Sequence, residues 1–308
     1  MKIGVAVENF TAVGKKPDIN SIANYCIKAD QYGFESIWTW DHLLLGSKNV
    51  FPVIDSMTLL SYVASLTKNI KLGTLYIFAL RDPLISSKII STLDYISSGR
   101  LIVAVASGWY KREFDAVGVN YDKRGSKMIE GLNLMNKLLY KGDVSYSDSR
   151  RTYNHVTISP MPGHHIPLLM GGYVDAVLKR VARYSDGWLS YYYGPGDFKE
   201  SVNKIETFAR EYKRDPTGFT NTDMVPVYVD VDMKNAKQKI EDFTSTFMDL
   251  PAWSKCTVES GIWGSPQAII EKLRKYEEAN VKRMVLIPAF YEADQLDLIA
   301  DKILPEFK

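Results

Sequence analysis

Short apolar runs that alternate with helical segments limit the fold of this chain more than any other feature of its sequence. Eight runs are rich in β-branched and aromatic residues, which is typical of strands buried on both faces of a parallel sheet. They cover residues 3–7, 36–40, 70–78, 101–106, 167–170, 188–191, 225–231 and 283–287. The first four begin 33, 34 and 31 residues apart, and each interval is about the length of one strand–helix unit.

Helical periodicity fills the intervals between these runs. One predicted helix follows Pro83 and has a face formed by Ile85, Ile89, Leu93 and Ile96. Another begins at Ser265 and Pro266, which suit the N-cap and the first turn. Alternating strands and helices predict an α/β fold, a closed (β/α)8 barrel of the TIM type. An open dinucleotide-binding sheet is disfavoured because no GxGxxG turn follows the first strand.

Two long intervals interrupt this regular plan. Residues 140–162 are polar and rich in turn-forming residues, with short strands predicted around 144–146 and 155–158. Residues 246–263 show no clear period. Because no linker divides the chain, we expect a single domain over residues 1–308, with the two insertions forming walls of a binding site.

Composition and charge exclude several classes of protein. The 38 basic and 36 acidic side chains give a formal charge of +2, without the basic stripe that follows a nucleic-acid backbone. Cys26 and Cys256 stand apart, and no Cys/His cluster has the spacing of a metal site. No stretch approaches the ~20 apolar residues of a membrane span, and the N-terminal run is too short for a secretion signal. We therefore expect a cytoplasmic protein that binds no nucleic acid, membrane or metal.

Residues that directly follow the predicted strands are candidates for an active site, because the carboxyl ends of barrel strands converge at the mouth. Glu8 follows the first strand, and Asp41 and His42 follow the second. A carboxylate and an imidazole at one strand end can hold or move a proton, but such a pair can equally cap a loop beside a packed ring. Glu8 is likewise either a carboxylate of the mouth or a solvated loop charge.

Glycines and aromatic residues dominate the other strand ends. Ser107-Gly108-Trp109 and Gly171-Gly172-Tyr173 place glycine between a strand and a helix. Free N–H groups there can bind a phosphate, although glycine also serves simply to make a turn. Two such junctions on neighbouring strands predict an anion site. The candidates for an aromatic wall are Trp40, Trp109 and Tyr193. Arg81 either contacts an anionic group or pairs with Asp82.

An ordered set of motifs resembles the bacterial-luciferase-like flavin-dependent oxidoreductases over nearly the whole chain. Each motif is common by itself, but their order along the chain is specific to that family. The set comprises residues 33–42, 72–74, 81–83, 98–101, 107–109, 113–114, 171–172, 185–188, 264–266 and 284–288.

The resemblance implies a barrel oxidoreductase that binds FMN or the deazaflavin coenzyme F420 at the carboxyl end of its strands. In that family the ring rests on a bulge in the third strand that contains a non-proline cis peptide, which would fall within residues 73–76, most simply between Thr74 and Leu75. The implied cofactor contacts are Asp41, Gly73, Thr74, Leu75, Ser107, Gly108, Trp109, Gly171, Gly172 and Tyr173. The implied wall around the substrate consists of Trp40, Arg81 and Tyr193.

The chain is more similar to the F420-using members, which tend to carry Asp-His after the second strand and a glutamate with an aromatic residue after the first. This similarity implies Glu8 and His42 as proton donors or acceptors beside the ring. One departure keeps FMN open as the cofactor. Trp109 stands where some F420 enzymes carry an acidic residue, and Glu113 follows four residues later.

The function we expect is hydride transfer between F420 and a small organic substrate, by a homodimer or higher homo-oligomer. The main alternative is an FMN-dependent monooxygenase of the same fold that uses reduced flavin and O2. A lesser alternative is a barrel aldolase or isomerase acting on a phosphorylated sugar, but no lysine stands at a predicted strand end to form a Schiff base. A barrel that binds flavin without turnover also stays open.

Overall fold

The structure is a computed structural model, and it describes residues 1–46, 49–148, 151–246, 259 and 261–308. These residues form eleven strands. The strands are β1 (Lys2–Ala6), β2 (Ser36–Trp40), β3 (Lys71–Ile77), β4 (Leu101–Ala106), β5 (Val144–Ser147), β6 (Thr152–Val156), β7 (Leu168–Gly171), β8 (Trp188–Tyr191), β9 (Thr222–Val229), β10 (Ile262–Gly264) and β11 (Arg283–Pro288).

Eight of these strands form a closed parallel barrel. Their order around the wall is β1, β2, β3, β4, β7, β8, β9 and β11, and β11 pairs again with β1. The predicted (β/α)8 barrel is therefore confirmed. Each predicted run overlaps one barrel strand, and the ends differ by no more than three residues because strand ends depend on pairing that a single run cannot reveal.

Helices follow the barrel strands and cover the outside of the barrel. In the described part of the chain they are α1 (Ile19–Tyr32), α2 (Ser56–Leu66), α3 (Pro83–Ile96), α4 (Lys111–Ala116), α5 (Arg124–Tyr140), α6 (Asp175–Tyr184), α7 (Pro195–Glu211), α8 (Met233–Thr246), α9 (Pro266–Glu278) and α10 (Ala293–Lys302). Among the same residues, no helix combines the length and the apolar character that a membrane span requires.

The ends of several helices follow directly from local sequence. Asp82 caps α3 by accepting the N–H of Leu84 at 2.8 Å, and Pro83 occupies the first turn, where its missing N–H costs nothing. Ser265 caps α9 by accepting the N–H of Ala268 at 3.3 Å, as its position predicted.

Helix α3 presents an unexpected face to the barrel. The isoleucines that define its apolar stripe are exposed, with 61% of Ile85, 38% of Ile89 and 48% of Ile96 accessible to solvent. The side chains of Ser86 and Ser87 are buried instead. Of the predicted face only Leu93 is buried, together with Ile90, so the three isoleucines at 85, 89 and 96 are left on the outside of the helix.

The strands of the barrel alternate between two apolar layers. Trp38 fills the barrel interior, whereas Trp188 lies in the layer between the strands and the helices, and both are fully buried. Trp38 packs directly on the backbone of Gly73. A Cβ atom added there would lie 2.3 Å from the indole, so only glycine fits at this position.

The two insertions differ in what they add to the barrel. Strands β5 and β6 form the antiparallel hairpin predicted within residues 140–162, although β6 begins three residues before the predicted strand. Most of the second insertion, at 247–258 and 260, lies outside the described residues, as does Cys256. Its last residues form β10.

Strand β9 changes its neighbour along its length. Residues Thr222, Asp223 and Met224 pair with β8, whereas Val227 to Val229 pair with β10. The opposite edge of β9 pairs with β11 over residues 222–227. Strand β10 therefore extends the barrel wall beyond the point at which β8 ends.

The third strand is regular, contrary to the expectation of a bulge with a cis peptide between Thr74 and Leu75. Strand β3 pairs with β4 without a register shift from Leu72 to Ile77. Within the described residues the cis peptide bond lies elsewhere, between Ser159 and Pro160. The unbroken ladder leaves no extra residue to form a bulge, so that expectation was wrong.

Candidate active site at the barrel mouth

A cavity of about 290 Å³ opens at the carboxyl ends of β2, β3, β4, β7 and β8. Its volume is close to the lower limit of ~300 Å³ that is common for small-molecule sites. Among the described residues, none from β1, β9 or β11 lines it, so the cavity occupies one half of the mouth. The lining comprises Trp40, Asp41, His42, Leu75, Ile77, Ala106, Ser107, Gly108, Trp109, Arg124, Gly171, Gly172, Tyr173, Val174, Val177 and Tyr191.

His42 is held in place by the buried carboxylate of Glu113. The imidazole Nδ1 lies 3.2 Å from both Glu113 oxygens, and Oε1 also accepts the N–H groups of Leu43 at 2.6 Å and Leu44 at 3.1 Å. An ionised carboxylate has only acceptor atoms, so we assign Nδ1–H of His42 as the donor in its contact with Glu113. Among the described residues, Nε2 of His42 has no hydrogen-bond partner, and His42 lines the cavity, so this nitrogen is available to a ligand.

The edge of Trp109 completes the environment of this histidine. The two rings meet edge to face, with 5.5 Å between their centroids, so His42 is confined between Glu113 and Trp109. The Trp109 carbonyl accepts the hydroxyl of Tyr121 at 2.9 Å. This hydrogen bond therefore connects the loop that follows β4 to the segment that leads into α5.

Asp41 links three elements beneath the cavity and does not contact the ring of His42. Its carboxylate forms a two-point ion pair with Arg81, at 2.7 and 2.8 Å, and accepts the N–H of Ile77 at 2.6 Å. Ser56 donates a further hydrogen bond at 3.2 Å. Burial raises the pKa of Asp41, while the Arg81 guanidinium and the Ile77 N–H act in the opposite direction.

Arg81 lies behind the cavity wall. Apart from Asp41, its guanidinium stacks over Tyr76, 4.3 Å from the ring centroid, and approaches Asp55 at 3.9 Å. Of the two alternatives for Arg81, pairing with Asp82 does not hold, because Arg81 pairs with Asp41 and the carboxylate of Asp82 caps α3.

Glycines shape the part of the cavity between β4 and β7. Gly108 has a φ of +81°, and a Cβ atom there would lie 2.8 Å from side-chain atoms of Ile77 and Phe114. Across the cavity, Gly171 and Gly172 lead into α6, whose N-terminus has no side-chain cap. The first N–H groups of α6 are thus open to an anion.

Arg124 adds a positive charge to the same end of the cavity. Its Nε donates to the Gly108 carbonyl at 3.0 Å and its Nη1 to the Tyr121 carbonyl at 2.9 Å, which fixes the guanidinium against the cavity lining. No carboxylate within the described residues pairs with it at 4.0 Å or less. The uncapped helix and this arginine together form a site suited to a phosphate.

Tyrosines form the wall on the side of β7 and β8. The hydroxyl of Tyr173 donates to the Tyr191 carbonyl at 2.8 Å, and the two rings meet edge to face at 5.0 Å. Tyr193 stacks on the outer side of Tyr173, with 4.9 Å between centroids and 5° between planes. Tyr193 therefore supports the wall from behind, whereas Tyr173 and Tyr191 face the cavity.

Glu8 lies in the other half of the mouth. Burial raises its pKa to about 7, an effect that Lys15 reduces. Its charge contributes to the raised pKa of the buried Tyr291, for which burial is the larger cause. Nearby, Tyr228 donates to Glu292 at 3.1 Å and Lys239 donates to the same carboxylate at 2.9 Å.

The structure brings most of the predicted site residues to the cavity. Ten of them line it, namely Trp40, Asp41, His42, Leu75, Ser107, Gly108, Trp109, Gly171, Gly172 and Tyr173. Gly73 lies deeper in the barrel, and Thr74 shares the outward face of β3 with Leu72 and Tyr76. Two residues of the site were not predicted from the sequence as parts of it. Arg124 carried no strand-end signal, and Glu113 was noticed only as part of a motif.

An α/β barrel with a glycine-shaped cavity, an anion site and a positioned histidine at its mouth is an enzyme of the barrel class, with its site at the carboxyl ends of the strands. A family model described as luciferase-like monooxygenase matches residues 1–259. The chain belongs to this family, and it is a luciferase-like oxidoreductase.

Named relatives include both reductases and monooxygenases. The pyrimidine monooxygenase RutA of Allorhizobium ampelinum is 25% identical over 177 residues, covering 54% of this chain and 48% of that protein. The 5,10-methylenetetrahydromethanopterin reductase of Methanolobus tindarius is 28% identical over 196 residues, which cover 63% of this chain and 57% of that protein. The corresponding reductase of Methanopyrus kandleri is 25% identical over an alignment of 342 residues, which covers 93% of this chain and 95% of that protein. The chain thus spans about half the length of the first two relatives.

Solved structures confirm the fold over the full length. The monooxygenase RslO1 of Streptomyces bottropensis superimposes with a TM-score of 0.86 at 19% identity and covers 100% of both chains. An F420-dependent secondary alcohol dehydrogenase, solved with an F420–acetone adduct, superimposes with a TM-score of 0.83 at 18% identity. The superposition covers 100% of this chain and 99% of that one.

Proposed function

We propose that this protein transfers a hydride between coenzyme F420 and a small organic substrate. The observation that carries the proposal is the position of His42, which is fixed by Glu113 through Nδ1 at one end of a cavity whose other end carries Arg124 and the open N-terminus of α6. A planar ring with a phosphate-bearing side chain would satisfy both ends of this cavity.

The residues present fit such a cofactor. The backbone at Gly108 lies where any larger residue would collide with its surroundings, and the narrow space beside it suits a flat ring. Leu75, Ile77 and Ala106 would contact the ring through apolar atoms, and Gly172 with Arg124 would hold the phosphate. When bound, the deazaflavin supplies the hydride-carrying carbon, and the protein supplies orientation and a dry site.

His42 would exchange the proton that accompanies hydride transfer to or from a substrate oxygen. With Nδ1–H donated to Glu113, Nε2 accepts a proton from a substrate hydroxyl in one direction and returns it to the oxygen in the other. Trp109 limits rotation of the imidazole. The roles of Asp41 and Arg81 would then be to position this strand end rather than to touch the reacting atoms.

Glu8 is a second candidate for proton exchange. Its pKa of about 7 makes both protonation states available near neutral pH, and it lies in the half of the mouth that the cavity leaves free for a substrate. Replacing Glu8 by Gln should lower kcat while leaving F420 affinity unchanged. If turnover is unaffected, Glu8 has no part in the reaction.

FMN-dependent oxygenation is the second candidate function. The resemblance to RutA favours it, and the same anion site would accept the FMN phosphate. Titrating the purified protein with F420 and with FMN, followed by fluorescence, distinguishes the two. We expect tighter binding of F420. A clear preference for FMN would contradict the F420 assignment while leaving the cavity as a flavin site.

A matched pair of variants tests the role of His42. Replacing His42 by Asn should leave F420 binding intact but lower kcat by about 100-fold or more, which is the usual contribution of a general acid–base group. Replacing the exposed His155, which pairs with Asp143 at the hairpin β5–β6, by Asn should change neither F420 affinity nor kcat. Equal activity of the two variants would exclude His42 as the proton-exchanging group.

We also propose that the enzyme acts on a small molecule in the cytoplasm, and that it does so as a homodimer or higher homo-oligomer. The exposed apolar stripe of α3 supports the second statement, and its test is given below.

A further inference from the structure

A groove of about 410 Å³ runs along the outside of the barrel between α5 and α6. It begins beside the phosphate end of the cavity, because Gly125 follows Arg124, a residue of the cavity lining. Its walls include Ser126 and Ile129 on α5 and Arg180 and Arg183 on α6. Arg183 also borders a neighbouring cavity of about 300 Å³, so the groove continues toward the amino ends of the strands.

The positive charges of the groove follow one side of α6. Val177 lines the cofactor cavity, Arg180 comes one turn later, and Arg183 and Tyr184 come after a second turn. At 1.5 Å per residue this series extends about 10 Å from the cavity. The helix therefore leads from the phosphate site directly into the groove.

These cations have no acidic partner within the described residues. The guanidinium of Arg180 rests against Gly125, where its Nη2 would be 2.8 Å from an added Cβ atom. Arg183 packs over the rings of Tyr184 and Tyr212, at 5.2 and 5.5 Å. Lys179 packs over Phe208 at 5.1 Å. A set of positive groups held by rings and backbone is available to pair with an anion.

The groove carries one carboxylate, that of Glu130, among the described residues that line it. The acidic residue at the start of α6, Asp175, is paired with Lys204 at 3.1 Å. The charge of the groove is thus positive overall, with three cations facing a single acid. A negatively charged, extended chain that continues from the phosphate would match both its charge and its direction.

We propose that this groove binds the acidic tail that distinguishes F420 from FMN, a chain of carboxylates attached beyond the phosphate. This inference rests on the proposed function. Arg180 and Arg183 would pair with tail carboxylates, while Arg124 holds the phosphate. FMN ends at its phosphate and would leave the groove empty, so the groove would contribute to the choice between the two cofactors.

The experiment compares three probes by fluorescence titration: F420 with a tail of several glutamates, the same deazaflavin phosphate without the tail, and FMN. Wild-type protein should bind tailed F420 about 5- to 10-fold tighter than the tail-less form, as expected for two partly exposed ion pairs. This advantage should shrink as salt is added, because exposed pairs are screened.

The double variant Arg180→Glu/Arg183→Glu should bind both deazaflavins equally, with the affinity for the tail-less form nearly unchanged. The matched control Arg210→Glu/Lys237→Glu makes the same change in net charge at exposed positions of α7 and α8 and should keep the tail advantage. Arg180→Gln/Arg183→Gln gives the same test with less charge change, and circular dichroism verifies folding.

The outcomes separate this inference from the proposed function. If wild-type protein binds both deazaflavins equally, or if the charge-reversed variant keeps the tail advantage, the groove does not bind the tail and F420 dependence is untouched. If the protein binds FMN but neither deazaflavin, both the inference and the proposed function are overturned.

Discussion

Glu113 and His42 are 71 positions apart in the chain, yet the carboxylate of Glu113 binds the imidazole and the two backbone N–H groups that follow it. A single fully buried side chain on α4 therefore positions both the ring and the turn at the end of β2. This contact spans β3 and joins the loop after β2 to the helix after β4, and it engages Nδ1 of the histidine so that Nε2 is the nitrogen left for a ligand.

Replacing Glu113 tests this positioning. Glu113→Gln can still accept the N–H groups of Leu43 and Leu44, but its amide presents N–H to Nδ1 and so moves the imidazole proton to Nε2. We expect normal F420 binding, kcat lowered by about 100-fold, and a changed tautomer in the nitrogen NMR spectrum of His42. Asp115→Asn, an exposed change on the same helix, should alter none of these. An unchanged tautomer would contradict the assignment.

Gly108 provides a test of the cavity shape. Gly108→Ala places a methyl group 2.8 Å from Ile77 and Phe114 and forces alanine into the left-handed region, which costs about 1–2 kcal/mol. We expect cofactor affinity to fall by at least about 10-fold and the free energy of unfolding to decrease by that amount. Gly194→Ala serves as the control, because its added Cβ meets no atom within 4 Å and its φ is −77°. Equal effects of the two changes would argue against a shaped cradle.

The buried ion pair beneath the cavity gives a stability prediction. Arg81→Met leaves the fully buried carboxylate of Asp41 without its partner, and we expect a loss of about 3–5 kcal/mol in the free energy of unfolding. The double variant Asp41→Asn/Arg81→Met removes the stranded charge and should recover part of this loss. Urea unfolding measures both. If the double variant is less stable than Arg81→Met, the charge of Asp41 is not the source of the loss.

Asp223 predicts how stability changes with pH. Burial raises the pKa of this carboxyl group from 3.8 to about 7, although Ser190 donates to it at 2.6 Å. Since the folded protein holds the proton more tightly than the unfolded chain, this group stabilises the fold at low pH, and that contribution is lost as pH rises from about 4 to about 7. Asp223→Asn keeps an acceptor for Ser190 but cannot ionise.

The measurement is the change in Tm between pH 5 and pH 8. Wild-type protein should lose more stability over this interval than Asp223→Asn, whereas the exposed replacement Asp301→Asn should behave as wild type. Parallel pH profiles for wild type and Asp223→Asn would show that Asp223 does not hold a proton in the folded state near neutral pH.

The exposed stripe of α3 predicts an interface between two copies of the chain. Ile85, Ile89 and Ile96 repeat at intervals of four and seven residues, so they form one line along the helix, and a symmetric pair of such helices would bury both lines. Ile85→Glu/Ile89→Glu should convert an oligomer to a monomer in light scattering. Val231→Glu, at an 82% exposed position, is the control. A monomeric wild-type protein would refute the interface.

The barrel could be predicted from the sequence because each of its strands is a continuous apolar run, and burial on both faces leaves that pattern in the residues themselves. Strand β10 could not be predicted in the same way. It has three residues and exists only because β9 extends beyond β8, which is a property of the assembled sheet. The outward position of Ile85 was equally hidden, since periodicity identifies an apolar face but not what it packs against.

The candidate site was predictable to the extent that it depends on strand ends. Gly108 and Gly171 stood at junctions, and their local sequence indicated the cradle. The partners of the charged groups were not predictable. Asp41 was paired in sequence with His42, but the structure gives Asp41 to Arg81 and gives His42 to Glu113, because these pairings depend on which distant side chains reach the same point in space.

The cavity occupies one half of the barrel mouth and is separate from the charged and aromatic residues of the other half. Every lining residue described here comes from the segments between β2 and α6 or from β8, whereas Glu8, Tyr228 and Tyr291 stand on the opposite side. Under the proposed function, mutations on that opposite side would change the substrate that is accepted and would leave the residues proposed to hold the cofactor unaltered. The proposal therefore assigns substrate specificity and cofactor binding to separate halves of the barrel mouth.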